Sequence, residues 1–522
     1  MRLALASLGV AGWILPALVF WPVIGAALVR WIGHDPTPAG GVGRRPDARM
    51  LTLGVLVIEA VLSLLLWAVM DPAQAGWQAR FDVPWIPALG VSLSFGADGL
   101  SLVMVALTTV VVPLALLGSW DQVTVRTPTF GALLLLVVAG FMGVYLALDL
   151  LVFYLAWELM LVPTYLLLGV WGIAGGAAGR AGLRYVLYTL VGSLLMLVAI
   201  VSLASQGANP SLHLDDLRQL AIAPRLQLLL FLAFFSAFAV KSALVPFHSW
   251  LPEAQATAPT VTAVTLGLKV GVFALLRFAM PLFPAALTDP VFRRVVLLLS
   301  TIAIVYGALV ALGQRDLKRI VAFSAISHAG YILLGCFVLT PQAMQGAVVS
   351  VVASGLATTA LLLLASRVED QLGTTSLDGL GGLAYRQPWF AAALAIAVLS
   401  TVALPGTVGF VGEFLILLGT FAEEPVLASV ATGGVVLAAA YGLRLVQGVL
   451  LGPVAPDAPG APVELRGRER TALGLLTAFM LLLGLGPAGM IHQIAMPTQQ
   501  LIESVRFAPE AATASTRPGA ER

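Results

Sequence analysis

Fourteen apolar stretches, most of them about twenty residues long, divide this chain from one end to the other. They run roughly over 8–31, 51–70, 98–118, 129–148, 150–171, 183–204, 226–246, 259–280, 291–313, 319–339, 344–366, 388–420, 428–452 and 471–491. A bilayer core is about 30 Å thick, so a helix needs about 20 residues to cross it. Backbone groups in lipid have no water to bond, and a helix satisfies them within the segment. The expected fold class is therefore all-α: a polytopic membrane protein with about 14 transmembrane helices. Only 10% of residues are charged, against about 25% in soluble proteins. A net charge of +2 gives no reason to expect a nucleic-acid partner; the partner the pattern demands is the lipid bilayer. The single cysteine, Cys336, excludes an internal disulfide and a cysteine-ligated iron–sulfur cluster. Met1-Arg-Leu-Ala-Leu resembles a signal peptide, but the apolar run continues to Trp31 and reads as an uncleaved first helix. No Arg- and Ser-rich transit segment precedes it, which points to a prokaryotic cell membrane.

Two of the spans carry breaks. The seventh ends in Lys241-Ser-Ala-Leu-Val-Pro246-Phe-His248-Ser-Trp-Leu-Pro252-Glu253. Proline removes a backbone donor and clashes with the preceding turn. The twelfth span is overlong and contains Leu404-Pro-Gly-Thr-Val-Gly409, so it should break in the same way. Arginine and lysine mark cytoplasmic loops. Arg44, Arg45 and Arg49, then Arg180 and Arg184, then Arg315, Lys318 and Arg319, then Arg466, Arg468 and Arg470 fall in alternate connections, on one side. With an even number of spans, both termini face the opposite side. Glu158 and Lys241 in one stretch, and His328 and Glu413 in another, have nearly equal spacings. Five spans per unit is odd, so the two units are inverted relative to each other. The expected division is 1–128 for three N-terminal helices, 129–281 and 291–453 for the two five-helix repeats, 454–505 for a loop and last helix, and 506–522 for a disordered tail.

Charged groups at membrane depth are costly, about 2.5–3.5 kcal/mol each on insertion scales, and are therefore functional candidates. Lys241 ends an apolar run beside the first break, where a snorkelling lysine is the bland alternative. Glu158 shares a helix face with Tyr154 and Tyr165 and is the candidate counter-charge for Lys241, as a buried ion pair. Lys269 has about ten apolar residues on either side and shares a stripe with Thr262 and Thr265. His328 shares a face with Ser324 and Tyr331, and a histidine can exchange protons near neutrality. Glu413 follows the second break among glycines. His248 is a further possible relay group. Arg277 reads as a span-edge anchor, while Glu59 and Arg444 lie within spans without an evident role. There is no dinucleotide fingerprint, P-loop or H-E-x-x-H, and the five histidines are scattered, so no cofactor or metal site is expected in the chain.

Four segments carry a family resemblance: Trp157-Glu-Leu-Met-Leu-Val-Pro, Lys241 through Pro259, Leu317-Lys-Arg-Ile-Val-Ala-Phe-Ser-Ala-Ile-Ser-His328-Ala-Gly-Tyr, and Leu404-Pro-Gly-Thr through Glu413-Phe. Over about residues 90 to 455 the chain resembles the antiporter-like membrane subunits of respiratory complex I, the M-type subunit in particular. A glutamate at 413, where related subunits and cation/proton antiporters carry lysine, narrows the likeness to M. The resemblance implies a proton channel of two half-channels joined by a hydrated axis. It gives Glu158 and Lys241 to the first half, Lys269 and His328 to the central relay, and Glu413 to the terminal proton-loading position. It implies other membrane-arm subunits as partners, with NADH, FMN, iron–sulfur clusters and quinone in partner subunits. A subunit of a sodium/proton antiporter or of a membrane-bound hydrogenase complex is the alternative. One departure is that Ser354 stands where the family commonly has histidine; serine orders water but does not titrate near neutrality.

Overall fold

The computed structural model describes residues 10–36, 46–173, 176–207, 211–451 and 464–515. Arg44, Arg45 and most of the expected 453–470 loop lie outside these residues. The chain is mostly helical. Helices α1 (Val10–Ile32), α2 (Ala48–Val69), α3 (Gly99–Gly118) and α4 (Thr127–Leu146) come first. A broken fifth span follows, α5 (Leu150–Leu159) and α6 (Leu161–Trp171), then α7 (Ala177–Ala204), α8 (Pro224–Lys241) and α9 (Trp250–Thr257). The eighth span comprises α10 (Thr260–Gly267), α11 (Val270–Ala274) and a π-turn at Leu275–Ala279. The second half holds α12 (Pro290–Gly313), α13 (Leu317–Val338), α14 (Pro341–Leu372), α15 (Pro388–Thr401), α16 (Val408–Glu423) and α17 (Pro425–Val446). Helices α18 (Gly467–Leu485) and α19 (Ala488–Ser515) close the chain.

Among the described residues, 12 helices are long and apolar enough to cross a membrane, or 13 if the pair α18 and α19, bent by 69°, is one span. Fourteen is not reached, because the expected twelfth span consists of α15 and α16, neither long enough alone. Three other readings need correction. The class stands as helical, but the connection between the second and third spans is not irregular: β1 (Ala79–Ile86) and β2 (Val91–Ala97) form an antiparallel hairpin there. Pro84 and Pro87 interrupt the alternation that would have exposed it. The eighth span is interrupted at Leu268 and Lys269, so its polar stripe is not on one continuous helix. The expected tail is helical as far as Ser515, and residues 516–522 lie outside those described.

Both expected breaks are present and share one geometry. After α8, the Ala243 N–H donates to Val240 O and the Leu244 N–H to Ala239 O. After α15, the Ala403 N–H donates to Ser400 O and the Leu404 N–H to Leu399 O. Ala243 and Ala403 both take positive φ, 51° and 55°, which an L-residue adopts only when its surroundings impose it. Matching the breaks pairs Lys241 with Thr401 and Glu253 with Glu413. Lys241 and Glu413 are therefore not equivalent positions in the repeat: one precedes its break and the other follows.

The breaks fix where close packing is needed. A Cβ at Gly271 would lie 2.4 Å from Phe238 O and 2.4 Å from Ser242 Oγ, so α11 meets the end of α8 only through glycine. A Cβ at Gly412 would lie 2.4 Å from Ser350 Oγ, which holds α16 against α14. Outer faces are apolar and open: Leu187, Val191, Leu194 and Val198 on α7 are exposed, as a lipid-facing helix requires. At one end, Arg49, Arg466 and Arg468 gather on Asp121, and Arg49 and Arg468 stack on Trp120. These are loops expected on the same side. The hairpin lies at the other end, where the Leu148 N–H donates to Ser94 O at 2.8 Å.

Candidate functional site

Helix α8 ends at Lys241 and the next eight residues turn the chain, leaving the Lys241 side chain buried at 9% exposure. Its Nζ donates to Tyr185 Oη at 2.7 Å and lies 5.1 Å from the Tyr185 ring centre and 6.0 Å from that of Trp157. The expected Glu158–Lys241 ion pair is not formed. Glu158 is half-buried at the α5–α6 break, and its Oε1 has no partner among the described residues. Helix α5 turns Trp157, not Glu158, toward Lys241, because adjacent residues on a helix point about 100° apart. Tyr185 was missed: it belongs to a neighbouring helix, and nothing in its local sequence marks it.

A water-sized cavity beside Lys241 is lined by Tyr185, Thr164, Thr265 and Leu268. Leu268 precedes Lys269 in the interruption of the eighth span, so the wall of this cavity includes the residue next to the second lysine. Lys269 is 3% exposed, and its Nζ donates to Ala325 O at 3.1 Å. Ala325 is one turn before His328 on α13. His328 Nδ1 lies 2.9 Å from Glu413 Oε1, a hydrogen bond that either end donates according to which holds the proton. Glu413 is 4% exposed. The structure thus sets Lys269 against α13 one turn before His328, which contacts Glu413, while Lys241 lines the first cavity. Ser354 and His328 line a second cavity with Glu413. Ser324 donates to Val321 O at 2.8 Å, one turn from His328. His248 stands apart: its Nε2 is 3.0 Å from Tyr306 Oη on α12, at a half-exposed position.

Other charges take roles the sequence did not suggest. Arg277 is not a span-edge anchor. It is 5% exposed, pairs through both guanidinium ends with Asp98 (one N–H···O contact at 2.8 Å), donates to Ser101 Oγ at 2.9 Å, and stacks on Trp77 at 4.6 Å. Asp98 caps α3 directly after the hairpin. Arg444 donates to Leu312 O at the end of α12. Glu59 is fully buried in α2, both carboxylate oxygens without a partner among the described residues. Among those residues no group of three or more His, Cys, Asp or Glu side chains could hold a metal ion.

The model of the membrane segment of NADH:quinone oxidoreductases and Mrp antiporters matches residues 147–438, which contain Lys241, Lys269, His328 and Glu413. The chain belongs to that family. NADH-quinone oxidoreductase subunit M of Pseudomonas aeruginosa is 38% identical over 91% of this chain and 94% of its own length. A chain in the structure of respiratory complex I from Thermus thermophilus with bound NADH superposes at a TM-score of 0.84 and 32% identity, covering 94% of this chain and 99% of that one. A chain of the Mrp complex from Dietzia superposes at 0.78 with 20% identity, covering 94% and 99%, a likeness of fold.

The Lys241–Tyr185 contact makes a test. Hydrogen bonds to charged groups are worth about 1.5–3 kcal/mol. Tyr185→Phe keeps the ring beneath Lys241 and removes its one hydrogen-bond acceptor among the described residues, so coupled proton translocation should fall on the order of tenfold. Translocation measured in vesicles, with subunit content checked on native gels, decides it; unchanged translocation removes Tyr185 from the path.

Proposed function

We infer that the chain is a proton-translocating membrane-arm subunit of an NADH:quinone oxidoreductase, assembled with other membrane-arm subunits and coupling quinone reduction elsewhere in the complex to proton movement. The chain itself supplies ionisable groups. Supporting this reading most directly is the buried set Lys269, His328 and Glu413, with the His328–Glu413 contact at 2.9 Å. Each member can hold a proton, and burial makes its charge sensitive to charges arriving nearby. We assign Lys241 to the first half and Glu413 to the far end, with Glu158 as the group through which the neighbouring subunit acts on Lys241. Segments 129–281 and 291–453 then act as two half-channels. The membrane is the cell or inner membrane of a prokaryote, and NADH, FMN, iron–sulfur clusters and quinone belong to partner subunits.

In this mechanism a change of charge near Glu158 alters how firmly Lys241 holds its proton against Tyr185. The proton moves by way of the Thr265 side to Lys269, then past Ala325 to His328 and Glu413. The eight-residue interruption after α8 and the one at Lys269 matter because unwound backbone offers polar groups to such a path. Lys241→Ala in the intact complex should lower NADH-driven proton translocation several-fold while the subunit remains assembled. Dye quenching in proteoliposomes supplied with NADH and quinone measures it. Translocation at the unaltered rate refutes the assignment. Sodium-dependent proton flux without NADH or quinone would favour the antiporter reading instead.

A further inference from the structure

At the hairpin end of the bundle lies a cavity of about 250 Å³, close to the small end of ordinary ligand sites, about 300–1,000 Å³. Three charged side chains line it among the described residues: Asp98 and Arg277, which bond each other, and Arg218. Two arginines against one aspartate leave the lining with an excess positive charge. Arg218 follows the turn Leu214–Leu217, outside the spans. Its guanidinium has no hydrogen-bond acceptor among the described residues, since its ion-pair partner Asp215 is 3.8 Å away. Asp215 is already engaged by Trp77 Nε1 at 3.2 Å and by Arg80 at 3.4 Å. Desolvation, and next the Arg277 guanidinium, pull Arg218 below its ordinary range, and Asp215 and Asp98 do not balance them. An anion in the cavity would meet donors that nothing else uses.

We propose that this cavity binds a phosphate group, with Arg218 as its principal partner. A phospholipid head group and free phosphate share that chemistry. A guanidinium offers paired N–H donors that match phosphate oxygens, and basic pockets between membrane helices suit lipid head groups. The depth fits a lipid phosphate. Asp98 caps the start of α3, and Arg277 lies in the last turns of the eighth span, which ends at Leu282. Both stand where hydrocarbon gives way to head groups. Leu276, Pro281 and Leu501 add the apolar wall that a lipid's glycerol and first methylenes need. Leu501 belongs to α19, which is held to α3 where Gly99 meets Gln493 O with no room for a Cβ. The Asp98–Arg277 pair stays intact when the site fills, because the excess charge is that of Arg218. A bound phosphate would tie the residues before the hairpin, α3, the eighth span and α19 together at this end.

The test takes the intact complex, stripped of lipid in detergent, in two arms. One is returned to phosphatidylglycerol nanodiscs without phosphate, and the other stays in detergent with inorganic phosphate. The readouts are the structure in each arm and the ligand bound per complex, by mass spectrometry for phosphatidylglycerol and by phosphorus content for phosphate. Tetrahedral density against Arg218 is expected. In the nanodisc arm it makes the ligand a lipid, and in the detergent arm alone it makes the ligand free phosphate. Arg218→Gln removes the charge and keeps a polar side chain. It should weaken binding of phosphatidylglycerol, or of phosphate in the second arm, about tenfold. Gln500→Glu brings a carboxylate to the cavity wall at an exposed position and should weaken it likewise, so the test stands even if the arginine variant fails to assemble. A cavity empty in both arms overturns the proposal. So does a cavity filled by a neighbouring subunit's side chain, and so does ligand binding unchanged in both variants.

Discussion

Glu413→Gln should reduce proton translocation at least tenfold while the complex still assembles and the subunit stays in the membrane. Glutamine has nearly the same shape, and its amide can keep a hydrogen bond to His328 in place of the 2.9 Å contact of Glu413 Oε1. What it loses is the ability to take up and release a proton. The position is 4% exposed, so no nearby surface group substitutes. Gly412 against Ser350 leaves no room for α16 to shift and bring in another side chain. The readout is proton translocation per NADH oxidised in proteoliposomes, with NADH oxidation in uncoupler measured alongside. Assembly loss would instead make Glu413 a structural residue, and normal translocation would remove it from the path.

The second large effect is on stability. Asp98→Ala should leave the subunit largely absent from assembled membranes. It strands the Arg277 guanidinium, 5% exposed, with Ser101 Oγ as its remaining hydrogen-bond partner. Removing one partner of a buried pair costs about 3–5 kcal/mol, a large share of a typical folding free energy of about 5–15 kcal/mol. The same asymmetry predicts a rescue: Asp98→Ala with Arg277→Met, which removes both charges, should recover much of the lost content. Immunoblots of membranes measure it, and a double variant as depleted as the single one would show that packing rather than charge is responsible. Burial raises the Asp98 carboxyl, but the Arg277 guanidinium and the Ser101 and Leu100 N–H groups outweigh it and hold the carboxyl below its ordinary range. A depressed carboxylate contributes its stability above its unfolded value of about 4 and loses it as pH falls through the lower folded value. Neutral conditions therefore lie wholly within the stable range.

The buried charges were legible because a bilayer gives a charged side chain few reasons to be inside it. A charge in the middle of twenty apolar residues has few reasons to be there, so Lys241, Lys269 and Glu413 stood out singly. The two breaks were legible for a related reason: Pro246 and Pro405 each remove a backbone donor beside polar or glycine residues, and that combination interrupts a helix. The partners were not. Tyr185 was missed because a tyrosine in a span is ordinary, and only the approach of α7 to the end of α8 places its hydroxyl 2.7 Å from Lys241. Glu158 was misjudged as the ion-pair partner because charge complementarity says nothing of direction. Trp157 took the face that Glu158 was expected to hold.

Sequence alone determined the class, the membrane, the two interruptions and the titratable set, since each follows from local chemistry acting over a few turns of helix. Tertiary structure decided the neighbours: Tyr185 for Lys241, Ala325 for Lys269, Glu413 for His328 and Asp98 for Arg277. Those contacts join residues from 56 to 179 positions apart. Hydrophobic burial in a bilayer is nearly indifferent to which helix meets which, so the choice rests on side-chain shape and close backbone approach. Gly271 and Gly412 set that approach, and their spatial partners cannot be read from the chain.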